Sequence, residues 1–228
     1  MTGHVSVRNW VRFASLLFLY PLTLFLAAGR LRWTTGWCYV GVIVAVTMVS
    51  RVLVARKNPD LLAERAHAGE GAKDWDRALV LFVGLVGPLT TALVAGLNVR
   101  FSWRPTVAPG VQWSALGLVT LGGLFTMWAM VENRFFSAIV RIQHDRGHRL
   151  VSTGPYAWVR HPGYAGALIA TAATPFALSS SWAALPALMT VVVLVARTAL
   201  EDRTLLEELP GYAEYRARTR YRLLPGVW

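Results

Sequence analysis

The feature that most constrains this chain is a series of apolar runs, each near 20 residues, that recurs from residue 13 to residue 196. A helix needs about 20 residues to cross roughly 30 Å of hydrocarbon. Five or six such runs can be read: Phe13 to Gly29, Gly36 to Val54, Ala78 to Leu97, Trp113 to Val131, and a shorter pair, Gly163 to Leu178 and Trp182 to Ala196. The composition agrees, because 55% of the residues are hydrophobic and only 15% are charged. The expectation is all-α: a polytopic membrane helical bundle of five to six transmembrane helices with a C-terminal helical hairpin. The first run is long and lacks a small-residue cleavage site, so it reads as a span and not as a signal peptide.

A net charge of +11 invites a nucleic-acid partner, but the placement of the charges argues otherwise. With six spans and a cytoplasmic N-terminus, 19 of the 23 Lys and Arg fall on the cytoplasmic side, from Arg8 and Arg12 to Arg222. Only Arg30, Arg32, Arg100 and Arg104 fall on the other side. That asymmetry is the positive-inside pattern, and it suits anionic lipid head groups. The expected partners are therefore membrane lipids and a lipophilic substrate, with no nucleic acid; oligomeric state stays open. All 12 acidic residues and all five histidines share the cytoplasmic side, so any active site should open inward. The expected setting is an inner or plasma membrane, with both termini and the pocket cytoplasmic. Cys38 is the single cysteine, which excludes an internal disulfide and reads as packing. His144 and His148 lie in QHDRGH, with no carboxylate or cysteine cluster to make a metal site. The ten Trp read mostly as interfacial anchors.

The chain reads as one integral domain over 1–228, with N-terminal transmembrane helices in 1–132 and the chemistry in 133–228. The mixed-charge segment 56–77 reads as a solvated connector, and Arg104-Pro105 as a plain turn. The stretch from Glu132 to Arg149 reads as a helix continuing into the interface and ending at Gly147. The last helix runs past Ala196 through Arg197, Glu201 and Leu205, until Pro210 and Gly211 break it.

The most informative stretch is GPYAWVRHPGYAG, residues 154 to 166. Pro162 suits the first turn of a helix, where its missing N–H costs nothing. That end of the helix attracts anions, and Arg160 adds a fork suited to a carboxylate. Rising from Pro162 to Leu178 takes about 24 Å, and returning from Trp182 to Glu201 about 29 Å. Glu201 and Asp202 therefore return to the depth of Arg160 and His161. Such a cluster can be structural ion pairing, and Arg197 and Glu201 have helical i,i+4 spacing. It can also be a ligand site, since polar groups near bilayer depth commonly face a cavity. Gly154, Gly163 and Gly166 permit close approach, and Tyr156 and Tyr164 offer aromatic faces for a cation. A small zwitterion such as S-adenosylmethionine fits those features without being singled out by them.

Two segments carry a more specific signal: NRFFSAIVRIQHDRGHRLVSTGPYAWVRHPGYAG and RTALEDRTLLEELPGYAEYRARTRYRLLPGVW. Together they resemble the isoprenylcysteine carboxyl methyltransferase family and its bacterial phospholipid methyltransferase-like relatives, over roughly residues 133 to 228. The RHP-x-Y-x-G motif is met by Arg160, His161, Pro162, Tyr164 and Gly166. The paired acids are met by Glu201 and Asp202, where many relatives have two glutamates; Glu201 is the chosen member. Leu205, Gly211, Tyr212 and Tyr215 match the tail. The resemblance implies S-adenosylmethionine-dependent methyl transfer to a lipophilic or membrane-associated carboxylate, amine or thiol, without a Rossmann domain. It implies Arg160, Glu201 and His161 as catalytic. It implies cofactor contacts from Gly154, Pro155, Tyr156, Arg160, His161, Pro162, Tyr164, Gly166, Glu201 and His148, with Asn133 and Gln143 closing over the cofactor. His161 reads equally as a base or a helix cap. Two rival readings remain: an NADPH-dependent sterol or steroid reductase, whose C-terminal helices share a similar pattern, and a non-catalytic membrane scaffold.

Overall fold

A computed structural model describes residues 7–66 and 71–228, excluding the side chains of residues 7–16, 63 and 66. Of the charged and histidine side chains counted above, those of His4, Arg8, Arg12, His67 and Glu70 lie outside what is described. The helices are α1 (Val7–Ala28), α2 (Thr34–Lys57), α3 (Pro59–Ala66), α4 (Asp74–Leu81), α5 (Gly87–Phe101), α6 (Pro109–Glu132), α7 (Pro162–Ala177), α8 (Ala184–Glu208) and α9 (Tyr212–Arg218). A π-helical turn, Phe82–Val86, joins α4 and α5 into one rod from Asp74 to Phe101. The described residues contain no strand.

Among the described residues, four segments are long and apolar enough to cross a bilayer: α2, the rod Asp74–Phe101, α6 and α8. The shorter apolar stretch Leu17–Ala28 lies in α1. Phe18, Leu26, Leu121, Leu185, Met189 and Val192 are all at least 60% exposed. So large an uncovered apolar surface belongs against lipid, and helices satisfy their own backbone there. The protein is an integral membrane protein of all-α class.

Apolar tails in lipid give helices little reason to associate, so contact depends on small residues that let backbones meet. The tightest example joins α6 and α7. A Cβ added to Gly166 would stand 2.4 Å from the Gly122 carbonyl oxygen, and one added to Gly122 would stand 2.5 Å from the Gly166 carbonyl oxygen. The Thr126 hydroxyl donates to the Gly163 carbonyl at 3.0 Å in the same seam. Gly96 of α5 serves likewise against α1, where its Cβ would stand 2.5 Å from the Leu24 carbonyl oxygen. Tyr39 of α2 ties to Thr174 of α7 by a hydroxyl pair at 3.0 Å.

Two expectations are corrected. The helix expected to continue past Glu132 stops there, and 133–153 is an irregular wall with one 3-10 turn, His144–Arg146, followed by a second at Gly154–Ala157. The Asn133 side chain accepts the Phe135 N–H at 2.9 Å, a local bond that competes with helix. Phe135, Ile139 and Val140, whose spacing suggested an interfacial helix, are buried in the bundle instead. Gly147 does terminate a turn, at φ +61°, but a 3-10 turn. The supposed connector at 56–77 contains α3 and the start of α4, and its Asp76 is fully buried.

Gly166→Ala should lower the thermal unfolding midpoint in detergent, because the new methyl meets backbone that cannot yield; overpacking of this kind costs about 1–3 kcal/mol. Gly117→Ala is the control, since its Cβ would find nothing within 4 Å, and it should unfold like the parent.

Candidate functional site

Pro162 is the first residue of α7 and His161 is its N-cap. The His161 side chain makes no capping bond to the helix. Its Nε2 lies 3.1 Å from Asp202 Oδ1. An ionised carboxylate only accepts, so Nε2 carries the proton and Nδ1 is the nitrogen left for other partners.

α8 returns as its length requires, and Asp202 meets the Arg160–His161 corner. Asp202 Oδ1 accepts from Arg160 Nε at 2.8 Å and from the Tyr212 hydroxyl at 2.7 Å. Its Oδ2 accepts from Arg222 Nε at 2.9 Å and from Arg160 Nη2 at 3.2 Å. Arg160 Nη1 donates to the carbonyls of Thr219 and Arg220, at 2.8 and 2.7 Å. Four of the five guanidinium N–H donors are thus engaged within the protein. The chain after α9 closes the corner from below: the backbone N–H groups of Arg160 and His161 donate to the carbonyls of Tyr221 and Arg222, both at 2.9 Å.

Glu201, one residue earlier, has a different environment. It accepts one hydrogen bond, from the Tyr164 hydroxyl, and it is the one carboxylate among the residues lining an adjacent cleft. That cleft has a volume of about 90 Å³. Its walls are Phe135 and Phe136 from the irregular segment, Tyr156 and Tyr164, Leu205 and Leu209 from α8, and Tyr212 and Tyr215 from α9. His148, Arg160, His161 and Asn133 also reach it.

The remaining expected contacts fall elsewhere. Gly154, Pro155, Pro162 and Gly166 do not line the cleft; Gly166 is occupied by the α6 seam. Gln143 is buried, with Nε2 donating to the Phe135 carbonyl at 2.8 Å, so it shapes the wall from behind. Arg197 does not pair with Glu201. It holds Asp76, with Nε to Oδ1 at 2.6 Å and Nη2 to Oδ2 at 3.2 Å. Asp76 and the hub role of Asp202 escaped the sequence reading. The available signal was Arg197 itself, a charge in a long apolar helix that demands a buried anion.

His148 stands beside Phe135, ring centroids 4.7 Å apart, and its Nδ1 accepts the Gln143 N–H at 3.3 Å. Its proton is therefore on Nε2. Burial, then the neighbouring Arg146, His144 and Arg141, holds the imidazole down to about 4 from its usual 6.5. It is neutral at physiological pH. Arg141 forks onto Glu64 at 2.9 and 2.7 Å, and those bonds keep the Glu64 carboxyl below its ordinary range. No group of three or more metal-ligating side chains occurs among the described residues.

Fold and site together define a polytopic helical membrane protein with an aromatic cleft, one open carboxylate and a clamped RHP corner. Residues 115–207 match the model of the Isoprenylcysteine carboxyl methyltransferase (ICMT) family. A protein-S-isoprenylcysteine O-methyltransferase of Schizosaccharomyces pombe is 46% identical over 59 residues, which is 25% of each chain. A probable enzyme of the same name from Oryza sativa subsp. indica is 37% identical over 60 residues, 26% of this chain and 31% of that one. The matches thus span a quarter to a third of these relatives. The structure of a eukaryotic intramembrane Ras methyltransferase, ICMT, superposes with a TM-score of 0.63 at 17% identity, covering 94% of this chain and 75% of that one. That likeness establishes the fold.

Asp202→Ala should destabilise the protein by about 3–5 kcal/mol, because it leaves the buried Arg160 charge uncompensated; chemical or thermal unfolding in detergent measures this. A second expectation concerns pH. The folded protein binds a proton at His148 less readily than the unfolded chain, so this contribution is complete above pH 6.5 and is lost as pH falls toward about 4. The unfolding midpoint of the parent should drop across that window more steeply than that of His148→Gln.

Proposed function

We propose that this protein is an S-adenosylmethionine-dependent integral membrane methyltransferase acting on a lipophilic acceptor, with its cleft and both termini on the cytoplasmic side. The observation that carries the reading is the division between the two adjacent acids. Asp202 is saturated by the frame, whereas Glu201 presents a carboxylate to an aromatic cleft. A scaffold would have no use for that arrangement.

The residues present fit the cofactor by the chemistry of their donor set. Glu201 suits an ammonium, the tyrosine and phenylalanine rings suit a sulfonium or an adenine face, and neutral His148 offers an N–H donor. The bound cofactor supplies an electrophilic methyl group. The chain's own task is to hold both partners in line and exclude water, which is worth a large share of such a barrier. Arg160, with four donors engaged, acts on the cleft through the corner it builds. A carboxylate acceptor needs no base. For an amine or thiol, His161 Nδ1 or Glu201 would take the proton. The names of the curated relatives make an isoprenylated cysteine carboxylate the first acceptor to test.

Calorimetric titration of the protein in detergent should show binding of S-adenosylhomocysteine and none of NADPH. Glu201→Gln should weaken binding at least tenfold, and Arg100→Ala should leave it unchanged. NADPH binding alone would move the protein to the reductase class.

A further inference from the structure

The polar chemistry beside the cleft continues beyond it. Asp76 is fully buried at the start of α4, and Arg197 of α8 is 5% exposed. Their paired contacts at 2.6 and 3.2 Å form a two-point fork. Each partner also holds the irregular wall. Arg197 Nη2 donates to the Ala138 carbonyl at 2.8 Å, and Asp76 Oδ2 accepts the Val140 N–H at 2.7 Å. The cleft face of that wall includes Phe135, Phe136, Ile139 and Val140. On its other side, the Arg197 guanidinium lies over the Tyr164 ring, 5.3 Å from its centroid. Tyr164 in turn donates to Glu201. One buried pair therefore reaches two things that shape the cleft, its irregular backbone wall and its one carboxylate.

Resting on the methyltransferase reading, we propose that Asp76 is a positioning residue for ligand binding, acting through Arg197 on Tyr164–Glu201 and on the wall at 138–140. Asp76 does not touch the cleft, so its effect is transmitted. The fork fixes the guanidinium plane, the guanidinium fixes the tyrosine ring, and the tyrosine hydroxyl aims the carboxylate. The wall lacks helix bonds of its own at this point and takes two of its backbone partners, at the Ala138 carbonyl and the Val140 N–H, from the pair. Asp76 lies outside residues 115–207, the part of the chain matched by the family, so the N-terminal half contributes to the site through it.

The test compares the parent with Asp76→Asn and Asp76→Glu in detergent, reading S-adenosylhomocysteine affinity and amide hydrogen exchange over 133–143. Asp76→Asn should lose at least tenfold in affinity and speed exchange at Val140, and Asp76→Glu should recover part of both. If Asp76→Asn lowers the unfolding midpoint but binds within twofold of the parent, the residue is merely structural and the proposal fails. Should Asp76→Asn not fold, the double variant Asp76→Asn with Arg197→Met removes both charges, so no ion is left unpaired. It should fold, lose affinity and exchange faster at the wall; parental affinity in it overturns the proposal. A parent that binds no S-adenosylhomocysteine refutes the methyltransferase reading instead. Exchange at Val140 then decides the pinning alone, and unchanged exchange in Asp76→Asn overturns it.

Discussion

The Asp202 carboxylate is the interaction on which the rest of the site depends. It is about 1% exposed and collects hydrogen bonds from Arg160, His161, Tyr212 and Arg222. These donors come from the start of α7, from α9 and from the segment after α9. A buried ion costs several kcal/mol in lost hydration, and only near-complete saturation offsets this. The carboxylate therefore permits few arrangements of its neighbours, and that selectivity fixes how three chain segments meet below α8. Asp76–Arg197 performs a similar task one turn and a half higher on the same helix, toward the wall.

The convergence of the RHP corner with the acids of α8 was readable in the sequence because it needs only the rise of a helix and two apolar lengths. Which acid does what was not. Glu201 and Asp202 differ by about 100° around the helix axis, and sequence alone does not say which direction is protein and which is cleft. The expected preference for Glu201 as the ligand-facing member is a proposal that this geometry supports, while Arg197, spaced to pair with it, belongs to Asp76. The wall at 133–153 was misread for another reason. Its apolar spacing satisfies a helix, yet the same side chains pack equally well from an irregular backbone once Asp76, Arg197 and Gln143 satisfy its polar groups. Those partners lie far away in sequence or, like Gln143, look ordinary in it.

The membrane explains why so much polar chemistry is concentrated at one level. Helices in lipid bring their polar backbone groups already paired, so only side chains and irregular backbone need partners. The structure gathers its buried ion pairs near the starts of α4 and α7 and the end of α8. The result is a polar plate under an apolar bundle, with the aromatic cleft let into it. Tyr164 belongs to both parts, stacked under a cation and bonded to an acid within a helix otherwise built of small and apolar residues.

The length of α7 has a further consequence. Its 16 residues rise only about 24 Å, short of the roughly 30 Å of a typical hydrocarbon core. Neighbouring helices of 24 and 25 residues are not short. A bilayer in direct contact with α7 would have to thin there or leave one end of the helix below the head-group plane. Since the RHP corner sits at one end of α7, membrane thickness would bear on how far that corner and the neighbouring cleft lie from the head groups. Lipid composition, which sets that thickness, would in this sense belong to the geometry of the corner.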